Sequence, residues 1–440
     1  MDRKRATSRR KFLKSAGVTA AAIATPCIVP GAVFGANAPS NRITMGFVGL
    51  GRGEGFVLHY SMRPEVKILA VCDVAKGKRD GRKETVDAAY GNKDCAAYGD
   101  FRDLIARDDI DTVMVYTPTH WHAVISVAAL NAGKDVFCEK PMALTVKEGR
   151  AVCDAVKRNN RVFLAGTQYR TYPDWQAGVE VVRNGMIGKL KRVMVLGSPG
   201  IYKDADHTFP ASVRPPPDLD YDMWLGPSPE VPYFGQFVGS TWMACADYAT
   251  GWLTEFGVHS MDNALWGYNP AWEGIIEVEG KGNYYHDPRL DTLLQFEAEL
   301  RFPDGVTMPL ATNLGEKGCR GFTTFVGTDG WVGMSRVINS GEPMGNSSPL
   351  GLFRPDSTQW RANQELVGRD FIDCVRSRRT PYATAESCHR ATSLLLVADI
   401  AMRLGRKLKW DPVKEEFLDD ETANRLLSRP MRSPWRLVGV

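Results

Sequence analysis

A glycine-rich turn between two apolar runs most constrains how this chain can fold. Residues 43–50 form the first run and enter the turn Gly49-Leu50-Gly51-Arg52-Gly53; the second run, residues 66–72, ends at Asp73. Glycines in such a turn let the backbone approach a pyrophosphate, and the N-terminus of the following helix stabilises its charge. Asp73 lies 22 residues after Gly51, where a carboxylate can accept hydrogen bonds from ribose hydroxyls. The pattern predicts a domain that binds a dinucleotide.

The glycine spacing departs from the usual dinucleotide fingerprint at one position. After Gly49 and Gly51, the third glycine position is occupied by Glu54, and Gly53 and Gly55 flank it. We expect Gly49, Gly51 and Gly53 to bind the cofactor, while the spacing leaves open which residues contact its phosphates.

The acidic residue after the second run also indicates which dinucleotide binds. Asp73 favours NAD over NADP, because its charge would repel a 2′-phosphate. Lys76 and Arg79 follow closely and would attract such a phosphate. NAD is therefore the expected cofactor, with NADP as the alternative.

Further strands and helices alternate after Asp73. Residues 111–116, 135–138 and 162–165 have the apolar character of buried strands, and Thr145 with Glu148 forms a capping-box pattern. Strands that alternate with helices form a parallel sheet, whose ligands bind at the carboxyl ends of the strands. The polar residues expected at those ends are Thr117, His120, His122, Glu139 and Lys140.

A short motif at one strand end points to a known family. Glu139-Lys140-Pro141, after this glycine turn and Asp73, resembles the glucose–fructose oxidoreductase and inositol dehydrogenase family (Gfo/Idh/MocA). The later matches are Trp224-Leu225-Gly226-Pro227, Gly257-Val258-His259 with Asp262, and Ile400-Ala401-Met402-Arg403-Leu404-Gly405-Arg406. The resemblance covers essentially the whole chain after residue 38.

The resemblance implies two domains after that point. Residues 39–166 are expected to form an α/β Rossmann domain that binds NAD(P). Residues 167–440 are expected to form an α+β domain with a large, mainly antiparallel open sheet, which binds substrate and supports a homo-oligomer. Alternating runs such as residues 191–196 and 293–302 agree with such a sheet. Helices near the carboxyl terminus are expected to pack on the Rossmann domain.

The resemblance also implies an activity. Family members that resemble this chain are NAD(P)-dependent oxidoreductases of sugars and cyclitols, and some relatives are glycosidases that retain NAD. The family's catalytic lysine corresponds to Lys140, which would orient the reacting hydroxyl and assist proton movement near the nicotinamide. The alternative for Lys140 is a structural surface pair with Glu139.

A second cluster of chemically active residues lies within residues 254–262. At about 100° per residue of an α-helix, Glu255, His259 and Asp262 fall on one narrow face. The family pattern is Asp-x-x-x-His-x-x-Asp, whose histidine transfers a proton, and here Glu255 replaces the first aspartate. His259 is therefore a candidate general base, because the unperturbed pKa of histidine lies near neutrality. A helix-packing role is the alternative for His259.

The predicted site residues can be grouped by role. The catalytic set is Lys140, His259 and Glu255. The cofactor-binding set is Gly49, Gly51, Gly53, Asp73, Thr117, His120, Glu139 and Lys140. The substrate-binding set is Tyr169, Arg170 and Asp262. For His120 and His122 a packing role near the cofactor is the alternative, and no metal site is expected, because no close ligand spacing demands one.

Residues 199–251 form a long irregular stretch rich in proline, glycine and aromatic residues, including Trp224, Tyr233, Phe234 and Trp242. Irregular segments of this length usually have a function or form an interface. The aromatic side chains could stack on sugar rings, or they could anchor the segment to the sheet or to a neighbouring subunit.

The amino-terminal residues have the composition of an export signal. Residues 1–38 combine seven Lys and Arg with one Asp, followed by a weakly apolar run and a small-residue sequence at 36–38. Residues 8–14 resemble the twin-arginine signal, which directs folded proteins to the twin-arginine export machinery. A membrane anchor is the alternative, but Pro26 and Pro30 interrupt a run with too few strongly apolar residues to span a bilayer. We expect a periplasmic or other extracytoplasmic protein without stable membrane insertion.

The net charge of the chain depends on this segment. The whole sequence carries +4 and residues 1–38 carry +6, so residues 39–440 carry 4 − 6 = −2. The charge that remains gives no reason to expect a nucleic-acid partner.

The nine cysteines form no C-x-x-C pair, which argues against a zinc ribbon or a thioredoxin-type site. A protein exported in the folded state acquires its structure in the reducing cytoplasm. We therefore expect mostly buried free thiols, although an oxidising destination permits a bridge.

Three hypotheses for function follow. The first is an exported enzyme that transfers hydride between a tightly bound nicotinamide cofactor and a sugar or cyclitol hydroxyl or ketone. The second is an NAD-retaining glycosidase that works by transient oxidation of the sugar. The third is a non-catalytic carbohydrate-binding protein that kept the fold. All three take a small carbohydrate as ligand.

Overall fold

A computed structural model describes residues 41–51, 53–202, 211–312, 323–334, 352–353 and 360–437. The predicted export signal, residues 1–38, lies outside the described residues, as does Cys319. Within the described residues, no helix is long and apolar enough to cross a membrane.

A six-stranded parallel sheet forms the first half of the molecule. Its strands are β1 (Ile43–Val48), β2 (Val66–Cys72), β3 (Ala96–Tyr98), β4 (Thr112–Val115), β5 (Asp135–Cys138) and β6 (Phe163–Ala165). They pair in the order β3-β2-β1-β4-β5-β6, all in parallel. All residues of β4 and β5 are buried, as expected for strands covered on both faces. The strand order reverses between β1 and β4, which opens a crevice at the carboxyl ends of these strands.

Helices cover both faces of this sheet and connect successive parallel strands. They are α1 (Glu54–Ser61), α2 (Lys76–Tyr90), α3 (Phe101–Ile105), α4 (His122–Asn131) and α5 (Val146–Asn159). The predicted capping box begins α5: Thr145 Oγ1 accepts from the Glu148 amide at 3.2 Å, and the Glu148 carboxylate accepts from the Thr145 amide at 3.2 Å. The sequence prediction of a Rossmann domain is confirmed.

A nine-stranded mixed sheet forms the second half. Its strands are β7 (Leu190–Leu196), β8 (Ile276–Tyr284), β9 (Leu293–Arg301), β10 (Thr307–Ala311), β11 (Thr323–Gly327), β12 (Trp331–Met334), β13 (Leu352–Phe353), β14 (Leu408–Asp411) and β15 (Glu416–Phe417). Their order is β13-β12-β11-β7-β10-β9-β8-β14-β15, and only the β7–β10 and β12–β13 pairs within the described residues are parallel. The predicted mainly antiparallel sheet is confirmed.

The helices of the second half are α6 (Pro173–Arg183), α7 (Tyr221–Leu225), α8 (Trp252–Glu255), α9 (Gly257–Tyr268), α10 (Trp360–Ser377), α11 (Ala385–Leu404) and α12 (Glu421–Arg425). Helix α11 packs on α5 of the Rossmann half. A Cβ on Gly149 of α5 would lie 2.4 Å from His389 Nδ1 of α11. Arg150 and His389 both contact the Glu415 carboxylate at 2.7 Å. These contacts join the carboxyl-terminal part of the chain to the first domain.

The apolar interior of the described residues consists of one main core, a smaller cluster and a minor group around Met194 and Ala311. The main core runs through both sheets. The smaller cluster lies mostly within residues 211–250, here named the aromatic segment, and includes Trp224, Phe237, Trp242 and Tyr248. The aromatic segment therefore has a hydrophobic core of its own.

Seven cysteines lie in the described residues, and all are free and buried, as the sequence predicts. Burial raises the pKa of the Cys95, Cys374 and Cys388 thiols to about 12. These thiols are therefore protonated and poorly reactive near neutral pH.

Candidate active site

The glycine turn after β1 packs tightly against the end of β4. Gly49 has a φ of +87°, and a Cβ there would lie 2.6 Å from the Thr117 amide nitrogen. A Cβ on Gly53 would lie 2.8 Å from the Gly49 carbonyl oxygen and 2.9 Å from Tyr116 Cβ. Gly55, by contrast, has nothing within 4 Å of such a Cβ. Gly49 and Gly53 are thus positions where the fold requires glycine.

Asp73 holds this turn in place. Its Oδ2 accepts a hydrogen bond from the Leu50 amide at 2.8 Å, and its Oδ1 accepts one from the Ala75 amide at 2.8 Å. The carboxylate therefore links the glycine turn to the end of β2. Each oxygen keeps a lone pair, so the same carboxylate can also accept from ribose hydroxyls.

A cleft with about 850 Å³ of open space lies above this turn. Residues of the Rossmann half form its floor, among them Gly49, Gly51, Asp73, Lys78, Phe101 and Thr117. Residues of the aromatic segment close its other side: Met223, Trp224, Val238, Gly239 and Trp242. The aromatic residues singled out in the sequence thus share a cleft with the predicted cofactor-binding residues.

The residues present fit a dinucleotide. Gly51 lines the cleft, and a Cβ there would meet no heavy atom closer than Lys78 Nζ at 3.7 Å, so the space above the turn is open. Gly53 begins α1 without a side-chain cap, which leaves the helix N-terminus available to an anion. Asp73 stands at the ribose position of the fingerprint.

Lys140, Glu255 and Thr119 form one hydrogen-bonded cluster at the ends of β4 and β5. Lys140 Nζ donates to the Glu255 carbonyl oxygen and lies 4.0 Å from its Oε2. Thr119 Oγ1 donates to Glu255 Oε1 at 2.5 Å. The Lys140 side chain is 14% exposed and that of Glu255 4%, so the pair is largely shielded from water. Lys140 pairs with Glu255 across the domains, whereas Glu139 Oε2 accepts from the Lys140 amide at 3.2 Å.

The predicted single helix across residues 254–262 is interrupted at Phe256. Glu255 ends α8, and His259 lies in the first turn of α9, where its amide donates to the Phe256 carbonyl at 3.1 Å. The His259 ring is buried and meets the Tyr169 ring edge-on at 5.1 Å. Glu255 and His259 therefore belong to two consecutive helices, and their shared role in the site stays a prediction.

Arg170 and Asp262, both predicted to bind substrate, bind each other. Arg170 Nε and one terminal nitrogen donate to the two Asp262 oxygens at 2.8 and 2.7 Å. The side chains are 12% and 2% exposed, respectively. This bidentate pair ties the segment after β6 to α9 and brings Tyr169 against His259.

The two histidines after β4 have different partners. His120 Nε2 lies 3.0 Å from the Trp224 carbonyl oxygen, and burial lowers the pKa of His120 to about 3. His122 lies between the carbonyls of Thr117 and Pro141, at 2.8 and 2.7 Å, and burial lowers its pKa to about 4. His120 is thus a neutral anchor of the aromatic segment, and His122 joins the ends of β4 and β5.

Sequence reasoning missed two contributors to the site. Thr119, which holds the Glu255 carboxylate, lies between two more conspicuous positions, Pro118 and His120. The backbone of Trp224 matters as well as its ring, because its carbonyl oxygen accepts from His120 and from Trp121 Nε1 at 3.2 Å. For Thr119 a signal exists, since it follows a strand end. For the Trp224 carbonyl no sequence signal exists.

Within the described part of the chain, no group of three or more His, Cys, Asp or Glu side chains is arranged to hold a metal ion.

The fold and the site define a class of protein: a Rossmann domain whose cleft fits a dinucleotide, joined to an α/β domain that brings Glu255 onto Lys140. Sequence-family comparison agrees. The NAD-binding Rossmann-fold model of the Gfo/Idh/MocA oxidoreductase family matches residues 43–167, and the model of its carboxyl-terminal α/β domain matches residues 168–331 and 355–437. The chain belongs to the Gfo/Idh/MocA oxidoreductase family, and its cofactor is NAD.

Curated relatives share part of this sequence. A glycosyl hydrolase family 109 protein of Shewanella pealeana is 32% identical over 202 residues, which is 42% of this chain and 44% of that protein. An α-N-acetylgalactosaminidase of Shewanella oneidensis is 30% identical over 205 residues, 41% of this chain and 44% of that protein. The chain thus spans less than half the length of the curated relatives it matches.

Solved structures share the fold over most of the chain. Scyllo-inositol dehydrogenase from Lactobacillus casei, with NAD(H) and scyllo-inositol, has a TM-score of 0.58 at 20% identity and covers 84% of this chain and 99% of that one. The WlbA dehydrogenase from Bordetella pertussis, with NADH and UDP-GlcNAcA, has a TM-score of 0.60 at 17% identity, with 83% and 98% covered.

Proposed function

We propose that the protein is an NAD-dependent enzyme that oxidises a hydroxyl of a small carbohydrate, or reduces the corresponding ketone. The observation that carries this proposal is the buried cluster of Lys140, Glu255 and Thr119 at the carboxyl ends of β4 and β5. Those strand ends are where a Rossmann sheet presents its bound ligand. The cluster thus provides polar groups that can bind a hydroxyl of the substrate at the strand ends where the cofactor is expected to lie.

Each residue has a role in this proposal. Bound NAD supplies the acceptor for the hydride that leaves the carbon. Lys140 orients the hydroxyl of the substrate, and His259 accepts its proton at an imidazole nitrogen. Glu255 positions the Lys140 ammonium through its backbone carbonyl and its carboxylate, which Thr119 holds in turn. Tyr169 supports the His259 ring.

The proposal also includes a location outside the cytoplasm, export by the twin-arginine machinery and a homo-oligomeric state. Free NAD(H) is not expected outside the cytoplasm, so the cofactor would be loaded before export and regenerated in place. A cycle without net redox change meets this demand. It could oxidise one sugar while reducing another, or oxidise a sugar transiently so that a glycosidic bond can break.

The glycosidase is the second candidate, because the curated relatives named above are glycosyl hydrolases. Bound NAD would supply a reversible oxidation of a ring hydroxyl to a ketone. The ketone makes the neighbouring C–H bond acidic, so that loss of this proton can expel the glycosidic oxygen with its substituent. Addition of water and return of the ketone to a hydroxyl would complete a net hydrolysis. The same Lys140 and His259 would serve the proton transfers. An N-acetylated α-glycoside is the first substrate to try.

A single experiment separates the candidates. The purified protein is examined by native mass spectrometry for bound NAD and then mixed, without added NAD, with a panel of free sugars, cyclitols and aryl glycosides. A sugar oxidoreductase reduces the bound NAD, with a rise in absorbance at about 340 nm, and leaves the glycosides intact. A glycosidase releases the aryl group over many turnovers without net NADH.

A protein that merely binds carbohydrate would show neither signal with any member of the panel. Failure of the protein to bind NAD at all would contradict both catalytic candidates. Activity that appears only when NAD is added to a nucleotide-free protein would contradict the tightly held cofactor, although not the oxidoreductase.

A further inference from the structure

The aromatic segment connects to the Rossmann half at the residues that follow Asp73. Leu219 forms an antiparallel bridge with Ala75. The Lys76 amide donates to the Asp218 carbonyl at 2.8 Å, and the Asp220 amide donates to the Val74 carbonyl at 3.1 Å. The segment therefore extends the backbone hydrogen bonding of the very loop that carries the ribose-binding carboxylate.

The same segment is held at a second point by residues that follow β4. The Trp224 carbonyl oxygen accepts from His120 Nε2 and from Trp121 Nε1. Gly226, with a φ of +52°, lies so close to the Trp121 ring that a Cβ there would be 2.1 Å from Cζ2. The His120 amide also donates to the Tyr248 carbonyl at 3.1 Å. The segment is thus joined to the Rossmann half both after β2 and after β4.

The carboxyl-terminal tail contacts both the aromatic segment and the Rossmann half. The Arg432 amide donates to the Pro227 carbonyl at 2.8 Å, and its Nε donates to the Gly226 carbonyl at 3.0 Å. Trp435 packs edge-on against Trp121 at 4.7 Å, and the Arg102 guanidinium lies 5.0 Å from the Trp435 ring. The tail therefore fastens the aromatic segment to the floor of the cleft.

We propose that the aromatic segment is a cover that retains the adenosine half of the bound NAD, and that residues 429–437 fasten this cover. This inference rests on the proposed function, since it places NAD in the cleft. Asp73 marks the ribose end of the dinucleotide. The aromatic segment contributes the apolar side chains of Met223, Trp224 and Trp242 to the cleft that Asp73 also lines, and these side chains suit an adenine ring rather than a phosphate.

A cover of this kind explains how an exported enzyme can keep a cofactor that its surroundings do not replace. Dissociation of NAD requires the backbone contacts at Ala75, the bonds to Trp224 and the tail contacts to break together. Each single contact is weak, but breaking them in one step makes opening rare, so the dissociation rate falls while the binding surface of the Rossmann half stays unchanged.

The rate of NAD exchange tests this inference without a measurement of activity. The NAD-loaded protein is mixed with a large excess of isotopically labelled NAD, and native mass spectrometry follows replacement of the unlabelled cofactor. We expect exchange over hours for the unaltered protein. Gly226→Ala, whose Cβ would collide with Trp121, should exchange at least ten times faster, and Arg432→Ala at least three times faster.

Two matched substitutions serve as controls. Gly235→Ala lies in the same segment, where a Cβ would meet nothing closer than 3.9 Å, and Arg425→Ala removes an exposed arginine near the tail. Both should exchange at the rate of the unaltered protein. If Gly226→Ala does not fold, the comparison of Arg432→Ala with Arg425→Ala decides the matter.

The outcomes separate this inference from the proposed function. Equal exchange rates for folded Gly226→Ala, Arg432→Ala and the unaltered protein would overturn the retaining cover and leave the NAD-dependent enzyme standing. Exchange within seconds in the unaltered protein would do the same. Failure to bind NAD at all would overturn both.

Discussion

The floor of the cofactor cleft and the Lys140 cluster are assembled in different ways. The contacts that shape the floor join residues that are close in sequence: the Leu50 amide donates to Asp73, which lies only 23 residues away. The cluster joins residues that are far apart, because Lys140 reaches Glu255 across 115 positions and Thr119 reaches it across 136. The first region depends on local backbone geometry, and the second depends on how the two domains meet. Substitutions in the floor should therefore mainly change the Kd for NAD, whereas substitutions in the cluster should mainly change kcat.

The largest effect should come from the Lys140 cluster. Lys140→Met keeps the length and the apolar stem of the side chain but removes the ammonium that contacts Glu255. Because proton transfer and orientation of the hydroxyl both depend on that group, we expect kcat to fall by about 10³-fold or more, and the Kd for NAD, which Lys140 is also predicted to contact, to change far less. Steady-state kinetics and titration with NAD measure the two quantities.

Lys147→Met provides the control, since Lys147 is exposed on the first turn of α5. It should leave both kcat and Kd unchanged. If Lys140→Met weakened NAD binding as much as turnover, the separation of the cluster from the floor would not hold.

A smaller loss is expected from Glu255→Gln. The amide preserves the size of the side chain and the backbone carbonyl that accepts from Lys140, but it removes the charge that Thr119 holds. We expect kcat to fall by about 100-fold, without a change in NAD binding. Glu255→Asp would restore the residue of the family pattern and keep the charge, but its shorter side chain would reach Thr119 less well. Its kcat should therefore lie between those of the unaltered protein and Glu255→Gln. Glu273→Gln, at an exposed position, should have no effect on turnover.

The contact between the aromatic segment and His120 should make the stability of the protein depend on pH. Burial holds the pKa of His120 at about 3, whereas the ring of an unfolded chain titrates near 6.5. The unfolded chain therefore binds the extra proton between these values, and the free energy of unfolding falls as the pH falls below about 6.5. At pH 5 the expected loss is about 2 kcal/mol from this residue.

Denaturant unfolding at pH 7 and pH 5 measures this loss. In His120→Gln the difference between the two pH values should shrink by about 2 kcal/mol. His286→Gln changes an exposed histidine and should leave the difference as it is in the unaltered protein. An unchanged difference in His120→Gln would show that His120 is charged in the folded protein.

The smallest effect concerns two neighbouring glycines of the floor. A Cβ on Gly53 would overlap the Gly49 carbonyl and Tyr116, so Gly53→Ala should displace the turn and raise the Kd for NAD by about 10-fold. Gly55→Ala adds a methyl group where nothing lies within 4 Å, inside α1, and should leave the Kd unchanged while raising the free energy of unfolding by up to about 1 kcal/mol. Equal effects of the two substitutions would show that the phosphate site has been placed wrongly along the turn.

The parts of the site that could be predicted from the sequence are those with local requirements. The glycine turn, Asp73 and the strand ends at Thr117 and Lys140 have recognisable patterns, because backbone geometry and strand burial restrict the residue types there. The helix predicted across Glu255 and His259 is interrupted at Phe256, which the helical period does not reveal. The predicted substrate contacts Arg170 and Asp262 bind each other, a pairing that no spacing indicates.

The amino-acid sequence by itself therefore determined the parallel sheet, the dinucleotide turn and the residue types available for chemistry, since strand burial and the needs of a tight turn act over a few residues. Only the tertiary structure decided which of those residues meet. In the tertiary structure Lys140 Nζ donates to the Glu255 carbonyl oxygen, and His120 Nε2 contacts the Trp224 carbonyl oxygen, although His120 and Trp224 are 104 residues apart. The physical reason is that such contacts arise from the packing of two sheets and one long segment, and a backbone carbonyl that accepts a hydrogen bond leaves no mark on the residue type that carries it.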